Sequence, residues 1–112
     1  MKANSRQVNG VTVIDLSGRI ILGEPTSALQ EMFRDMVGRG QKKILLNMAD
    51  VHSIDSSGLS ALASGYSSMT SQQGELKLVY LTKRVHDLLQ LTKLLTVFEV
   101  FDDEAAAVKS FQ

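Results

Sequence analysis

Four times along this chain a short β-prone apolar run is followed by a stretch with helical periodicity, and that alternation limits the fold more than anything else in the sequence. The apolar runs are Val11–Leu16, Lys43–Met48, Leu76–Leu81 and Thr96–Phe101. Strands separated by helices pair in parallel through right-handed crossovers, so a mostly parallel sheet is expected. One element departs from the pattern. Ser5–Val8 precedes the first run with only Asn9-Gly10 between them, and Asn-Gly is the strongest short hairpin signal because a type I′ turn needs positive φ at both central residues. The hairpin adds one antiparallel edge to the sheet. With 112 residues, the chain suffices for one compact α/β domain over 1–112.

The helical stretches are read from spacing. Ala28, Leu29, Met32, Phe33, Met36 and Val37 recur on one face of a helix that Pro25 and Thr26 start and Gly38 and Gly40 end. The second helix begins near Ser57 and runs to Gln72 or Gln73, with Leu59, Leu62, Ala63, Tyr66, Met69 and Thr70 inward. Ser60, Ser64, Ser67 and Ser71 lie on another side and form a surface of small residues. Gly74 breaks this helix, a third spans Lys83–Leu91, and a fourth covers Ala105–Phe111 behind the favourable carboxylates Asp102, Asp103 and Glu104. Ser17-Gly18 is expected to end the first inner strand, leaving Arg19–Pro25 as a connection. Asp50–Ile54 is a second connection, leading into the second helix.

That second connection delivers the most distinctive string in the chain, Val51-His52-Ser53-Ile54-Asp55-Ser56-Ser57-Gly58-Leu59. It places a carboxylate, two hydroxyls and a glycine where a helix starts, where backbone N–H groups lack intrahelical partners and negative charge is favoured. On its own this is a capped helix start, since Asp and Ser are preferred N-cap residues.

Other chemistry finds little support. Asp55, Ser56 and His52 are the letters of a hydrolytic triad but stand too close in sequence for its geometry, and no Gly-x-Ser-x-Gly elbow is present. His52 and His86 have no evident catalytic partner. Asp55 as a receiver-type phosphoacceptor would need an acidic pair after the first inner strand, where the chain has Ser17-Gly18-Arg19-Ile20. Dinucleotide and P-loop glycine patterns and metal-ligand spacings are absent, and with no cysteine there is no thiolate or disulfide framework. No cofactor and no metal are expected. Twelve basic and twelve acidic residues cancel, so no global field recruits nucleic acid. No apolar run approaches the roughly 20 residues that span a bilayer, and residues 1–6 lack a signal-peptide core. A cytoplasmic protein without membrane insertion is expected.

Asp55-Ser56-Ser57-Gly58-Leu59, preceded by Val51 and Ile54, resembles the signature of the STAS domain, the family of bacterial anti-sigma factor antagonists, and the resemblance extends from about Val11 to Phe101. It implies a mixed sheet with helices largely on one side. It also implies a non-enzymatic binding module whose unphosphorylated form binds an anti-sigma factor that doubles as a serine kinase. Phosphorylation of Ser56, the serine directly after the aspartate, ends that complex, and a separate phosphatase resets it. Asp55, Ser56, Ser57, Gly58, Ser60 and Ser64 are then the residues expected around the partner, the small side chains allowing close approach.

Three positions depart from the family pattern. Ile21 follows Gly18-Arg19-Ile20 where most antagonists carry an aspartate, and Glu24 is the next carboxylate along. Lys93 in Thr92-Lys93-Leu94 occupies a usual glycine position, which implies an unusual backbone conformation there. Ser60 follows Leu59 where glycine or another small residue is usual. The first departure leaves open a STAS scaffold or accessory subunit of a signalling or lipid-transport assembly that binds without being phosphorylated.

Overall fold

The computed structural model describes residues 1–111. Strand β1 (Lys2–Val8) turns at Asn9 and Gly10, both at positive φ as a type I′ turn requires, into β2 (Val11–Ile20). Helix α1 (Glu24–Gly38), β3 (Lys43–Ile54), α2 (Ser56–Ser71), β4 (Glu75–Val79), α3 (Lys83–Leu91), a 3-10 turn at Leu94–Thr96, β5 (Val100–Phe101) and α4 (Glu104–Lys109) follow. The sheet has the order β1-β2-β3-β4-β5, antiparallel between β1 and β2 and parallel elsewhere. The expected α/β mixed sheet is therefore observed.

Strand order explains where the helices lie. From β2 to β5 each crossover steps one strand in the same direction, so crossovers of one hand carry their helices to one face. Ile14, Leu16, Ile44, Leu46, Met48, Leu76 and Leu78 pack there against Leu29 and Phe33 of α1, Leu59, Leu62 and Met69 of α2, and Val85 and Leu89 of α3. The alternate residues Val11, Val13, Leu45 and Val79 meet Ala107, Val108 and Phe111 on the opposite face. Covering both faces is what makes β3 apolar at successive positions through Ile44, Leu45 and Leu46. Lys77 sits buried on the second face, its Nζ donating to Ser110 O at 3.1 Å and lying 3.1 Å from the Glu99 carboxylate.

Several expected boundaries are corrected. Ser17-Gly18 does not end β2. Gly18 takes φ 100°, and the strand continues to Ile20. Asp50–Ile54 is strand, not connection, because it pairs with that continuation. Asp15 faces Asn47 while Ser17 faces Asp50, and Gly18 faces Val51 while Arg19 faces Ser53, so β3 carries one extra residue in each interval. Helix α2 starts at Ser56, one residue early, and Thr70 is exposed. Where Gly74 was expected to break α2, Gln73 takes the positive φ of 62°. Gly74 instead sits in a tight space, since a Cβ there would lie 3.1 Å from Met69 O and 3.2 Å from Lys42 O, besides pressing on the Met69 side chain. Strand β4 stops at Val79, short of Leu81. Of Thr96–Phe101 only Val100 and Phe101 are strand, because the 3-10 turn takes Thr96 and the Val97 amide closes it by donating a hydrogen bond to Leu94 O. Lys93 does adopt an unusual backbone conformation, as its departure from glycine implies: it is left-handed, at φ 65° and ψ 11°.

Candidate functional site

Elongation of β2 and β3 brings the α1 and α2 starts together at the carboxyl end of the sheet. Ile20 pairs with Ile54 at the last rung, and one residue later the Asp55 amide still donates to Ile20 O at 3.3 Å. Asp55 leaves the strand in extended conformation (φ −107°, ψ −175°) and caps α2, its Oδ1 accepting from the Gly58 amide at 3.0 Å. Its Oδ2 accepts from the Leu22 amide at 2.9 Å. One carboxylate thus caps α2 and fastens the loop that enters α1. The Gly58 amide, then that of Leu22, hold the Asp55 carboxyl below the usual carboxylate range by favouring its charged form.

Gly58 is buried where the two strands and α2 converge. A Cβ on it would stand 2.3 Å from Ile20 O and 2.6 Å from Ile54 Cγ1, so glycine is required by close approach rather than by φ. Its contribution is the space it leaves, not a surface it offers. With the turn fixed at three points, the first helical residue, Ser56, is exposed; Ser57 is half-buried, and Ser60 and Ser64 are exposed along α2. The six residues singled out from the sequence therefore lie on one turn and the first turns of one helix. His52 is exposed on β3, and His86 lies on α3 with Nδ1 3.3 Å from Asp87 Oδ1. Neither is part of this turn.

The loop from β2 to α1 contributes in a way the sequence did not indicate. Where a carboxylate was sought, Ile21 offers its carbonyl to Thr26 Oγ1 at 2.6 Å and Leu22 offers its amide to Asp55. The Leu22 side chain is 75 % exposed. Leu22, Gly23, Ser57 and Ser60 line a shallow depression of about 400 Å³ between the two helix starts. The small side chains of α2 also let α1 come close. At Gly65 a Cβ would stand 2.5 Å from the Phe33 ring.

Chemically, the turn presents a primary alcohol at the first position of a 16-residue helix. It stands beside a carboxylate whose two oxygens accept the Leu22 and Gly58 amides, and among the described residues no side chain is hydrogen-bonded to the hydroxyl as a base. Such a hydroxyl suits acceptance of a group from another molecule better than attack within this one.

The model for the STAS domain matches residues 2–107. A Thermotoga neapolitana protein named as a candidate anti-sigma factor antagonist is 32% identical over 81 residues, 72% of this chain and 72% of that protein. The crystal structure of a candidate anti-sigma factor antagonist from Thermotoga maritima superposes with a TM-score of 0.89 at 25% identity, covering 96% of this chain and 92% of that one. The phosphorylated form of the Bacillus cell fate determinant SpoIIAA shares the fold, with a TM-score of 0.77 at 16% identity over 99% of this chain and all of its own.

Proposed function

The chain belongs to the STAS domain family, and from that premise we propose that it is an anti-sigma factor antagonist, a cytoplasmic binding module of one STAS domain rather than an enzyme. Its unphosphorylated form docks on an anti-sigma factor that is also a serine kinase; phosphorylation of Ser56 ends the complex and a phosphatase restores it. The observation that carries this reading is the exposure of Ser56 on a turn pinned by Asp55 and wedged at Gly58. The names carried by the relatives support it.

The physics of the switch is local. A phosphoryl group brings roughly 1.5 to 2 negative charges and three strong acceptors at pH 7. Free amides of the first turn can take part of that charge, while Asp55 repels it from the adjacent position. A partner surface that fits a neutral hydroxyl would have to bury an unpaired anion, which costs more than an ordinary interface contact returns. Because the turn is anchored in β2 and β3 rather than by Ser56 itself, docking is lost while the fold stays. Asp55, Ser57, Ser60 and Ser64 then frame the contact.

The test is incubation with the cognate serine kinase and ATP, followed by intact mass and partner pull-down. Wild type should gain one phosphate, Ser56→Ala none; Ser56→Ala should keep the partner and Ser56→Asp lose it. A second reading is favoured by one observation: the β2–α1 loop brings a backbone amide, not a carboxylate, to the Asp55 turn. In that reading the domain is a scaffold or accessory subunit of a signalling or lipid-transport assembly and is not phosphorylated. Wild type that stays unmodified and still binds its partner would establish it over the first.

A further inference from the structure

Helix α3 opposes its own dipole. Anionic groups are favoured at a helix N-terminus and cationic ones at its C-terminus, yet α3 opens on Lys83 and Arg84, with no acid in its first turn and no base in its last. Thr82 already caps the helix through the Val85 amide at 3.3 Å, so the two cations are not there to start it. Lys83 lies 3.2 Å from Asp87, and Asp87 is also engaged by His86. Arg84 is exposed and forms no ion pair among the described residues. Along the same stripe, at helical spacing from Arg84, come Leu88, half-buried, and Leu91, 79 % exposed. Together with Ile54 these side chains line an open groove of about 680 Å³. Ile54 ends β3 two residues before Ser56, so the groove begins beside the hydroxyl-bearing turn.

We propose that this groove is a second docking element and that it takes an acidic amphipathic helix of the protein partner. The inference rests on the reading that the Ser56 edge meets a protein, and it adds the class of segment that seats beside it. Two cations against one carboxylate, itself held by Lys83 and His86, leave a positive rim that an acidic segment complements. Ile54, Leu88 and Leu91 give the apolar floor, and a nine-residue α3 offers a ridge of about 13 Å, enough for two turns or more of a helix laid alongside it. Aliphatic lining with no aromatic ring favours a protein helix over a nucleic-acid strand, which would want stacking platforms. A charge placement that costs helix stability, beside an exposed leucine, is the kind of local conflict that marks a binding surface.

The test is an NMR titration of the full chain with a helical peptide of about 14 residues, carrying leucines at three- and four-residue spacing flanked by glutamates. The controls are the same peptide with lysines for glutamates and a short single-stranded oligonucleotide. The acidic peptide should shift the amides of Ile54 and residues 83–91, with binding about tenfold weaker in Arg84→Glu and in Leu91→Asp, both exposed positions whose folding a thermal melt checks. Raising the salt to about 0.5 M should weaken it further. Equal binding of the lysine peptide, shifts mapping elsewhere, no shift at millimolar peptide, or tighter binding of the oligonucleotide would each overturn the proposal. Ser56→Ala should titrate as wild type does. Failure of the kinase to modify Ser56 with peptide binding intact would remove the switch and keep the groove. A phosphorylated Ser56 with no peptide binding would do the reverse.

Discussion

Helices α2 and α3 both begin at the carboxyl end of a parallel strand, and both are capped by a side chain on the third amide, yet the two starts are built for opposite ends. In α2 the cap is the charged Asp55, the next two residues are neutral serines, and the third is a glycine wedged under Ile20 O. In α3 the cap is the neutral Thr82, the next two residues are cations, and the third is Val85, fully buried. One start places its negative charge inside the cap, where it also ties down the Leu22 loop, and leaves a neutral alcohol outside. The other keeps its charge outside and anchors itself by apolar contact. The difference shows that capping a helix and presenting a surface are separable tasks.

The comparison breaks most severely at its third position. Gly58→Ala puts a methyl into a backbone carbonyl that cannot rotate away, and a loss of about 3 kcal/mol is expected, at the upper end of ordinary overpacking. A denaturant midpoint measures it, and a loss near zero would mean that the α2 start is not wedged. Next come the caps themselves. Thr82→Ala should cost about 1 kcal/mol at neutral and at acid pH alike, because no proton is involved. Asp55→Ala should destabilise at pH 7, but its effect should fade in acid. The folded carboxyl titrates below the unfolded value of about 3.9, so its contribution is present above that value and is lost as pH falls through the folded one. Melts of both variants across the acid range separate the two caps. The smallest effect is the reversal of charge at Arg84. Arg84→Glu relieves the dipole conflict and should raise stability by about 0.3–1 kcal/mol at low salt, and less at high salt.

Much of this arrangement could be read from the residues. The Asn9-Gly10 hairpin, the bounds of α3 and the buried Leu29 and Phe33 follow from local chemistry that tertiary contacts do not override. The left-handed Lys93 instead runs against the preference of a lysine and was legible only from the resemblance, which has a glycine there. The Asp55-Ser56 turn was legible because capping residues and an apolar helical repeat adjoin. The second halves of β2 and β3 were not. Met48, Val51 and Ile54 are the buried residues there, three apart rather than two, because two extra residues in β3 offset its inward positions against β2. A strand with that spacing carries no period-two signal, so it reads as a loop. The Leu22 amide was equally invisible, since any residue could supply it; only the positions of the strands reveal where it goes.

Strand β4 accompanies β3 only as far as the rung Asn47–Val79, and from Met48 to Ile54 the strand has β2 alone beside it, with the Thr82 hydroxyl donating to Val51 O at 3.3 Å on the other side. A local opening there gives up one ladder, not two, and leaves the five-stranded centre closed. On the proposed reading, an enzyme that draws Ser56 into its own cleft works on a stretch of sheet held by a single ladder, as the edge strands β1 and β5 are, and can reach that serine without opening the centre.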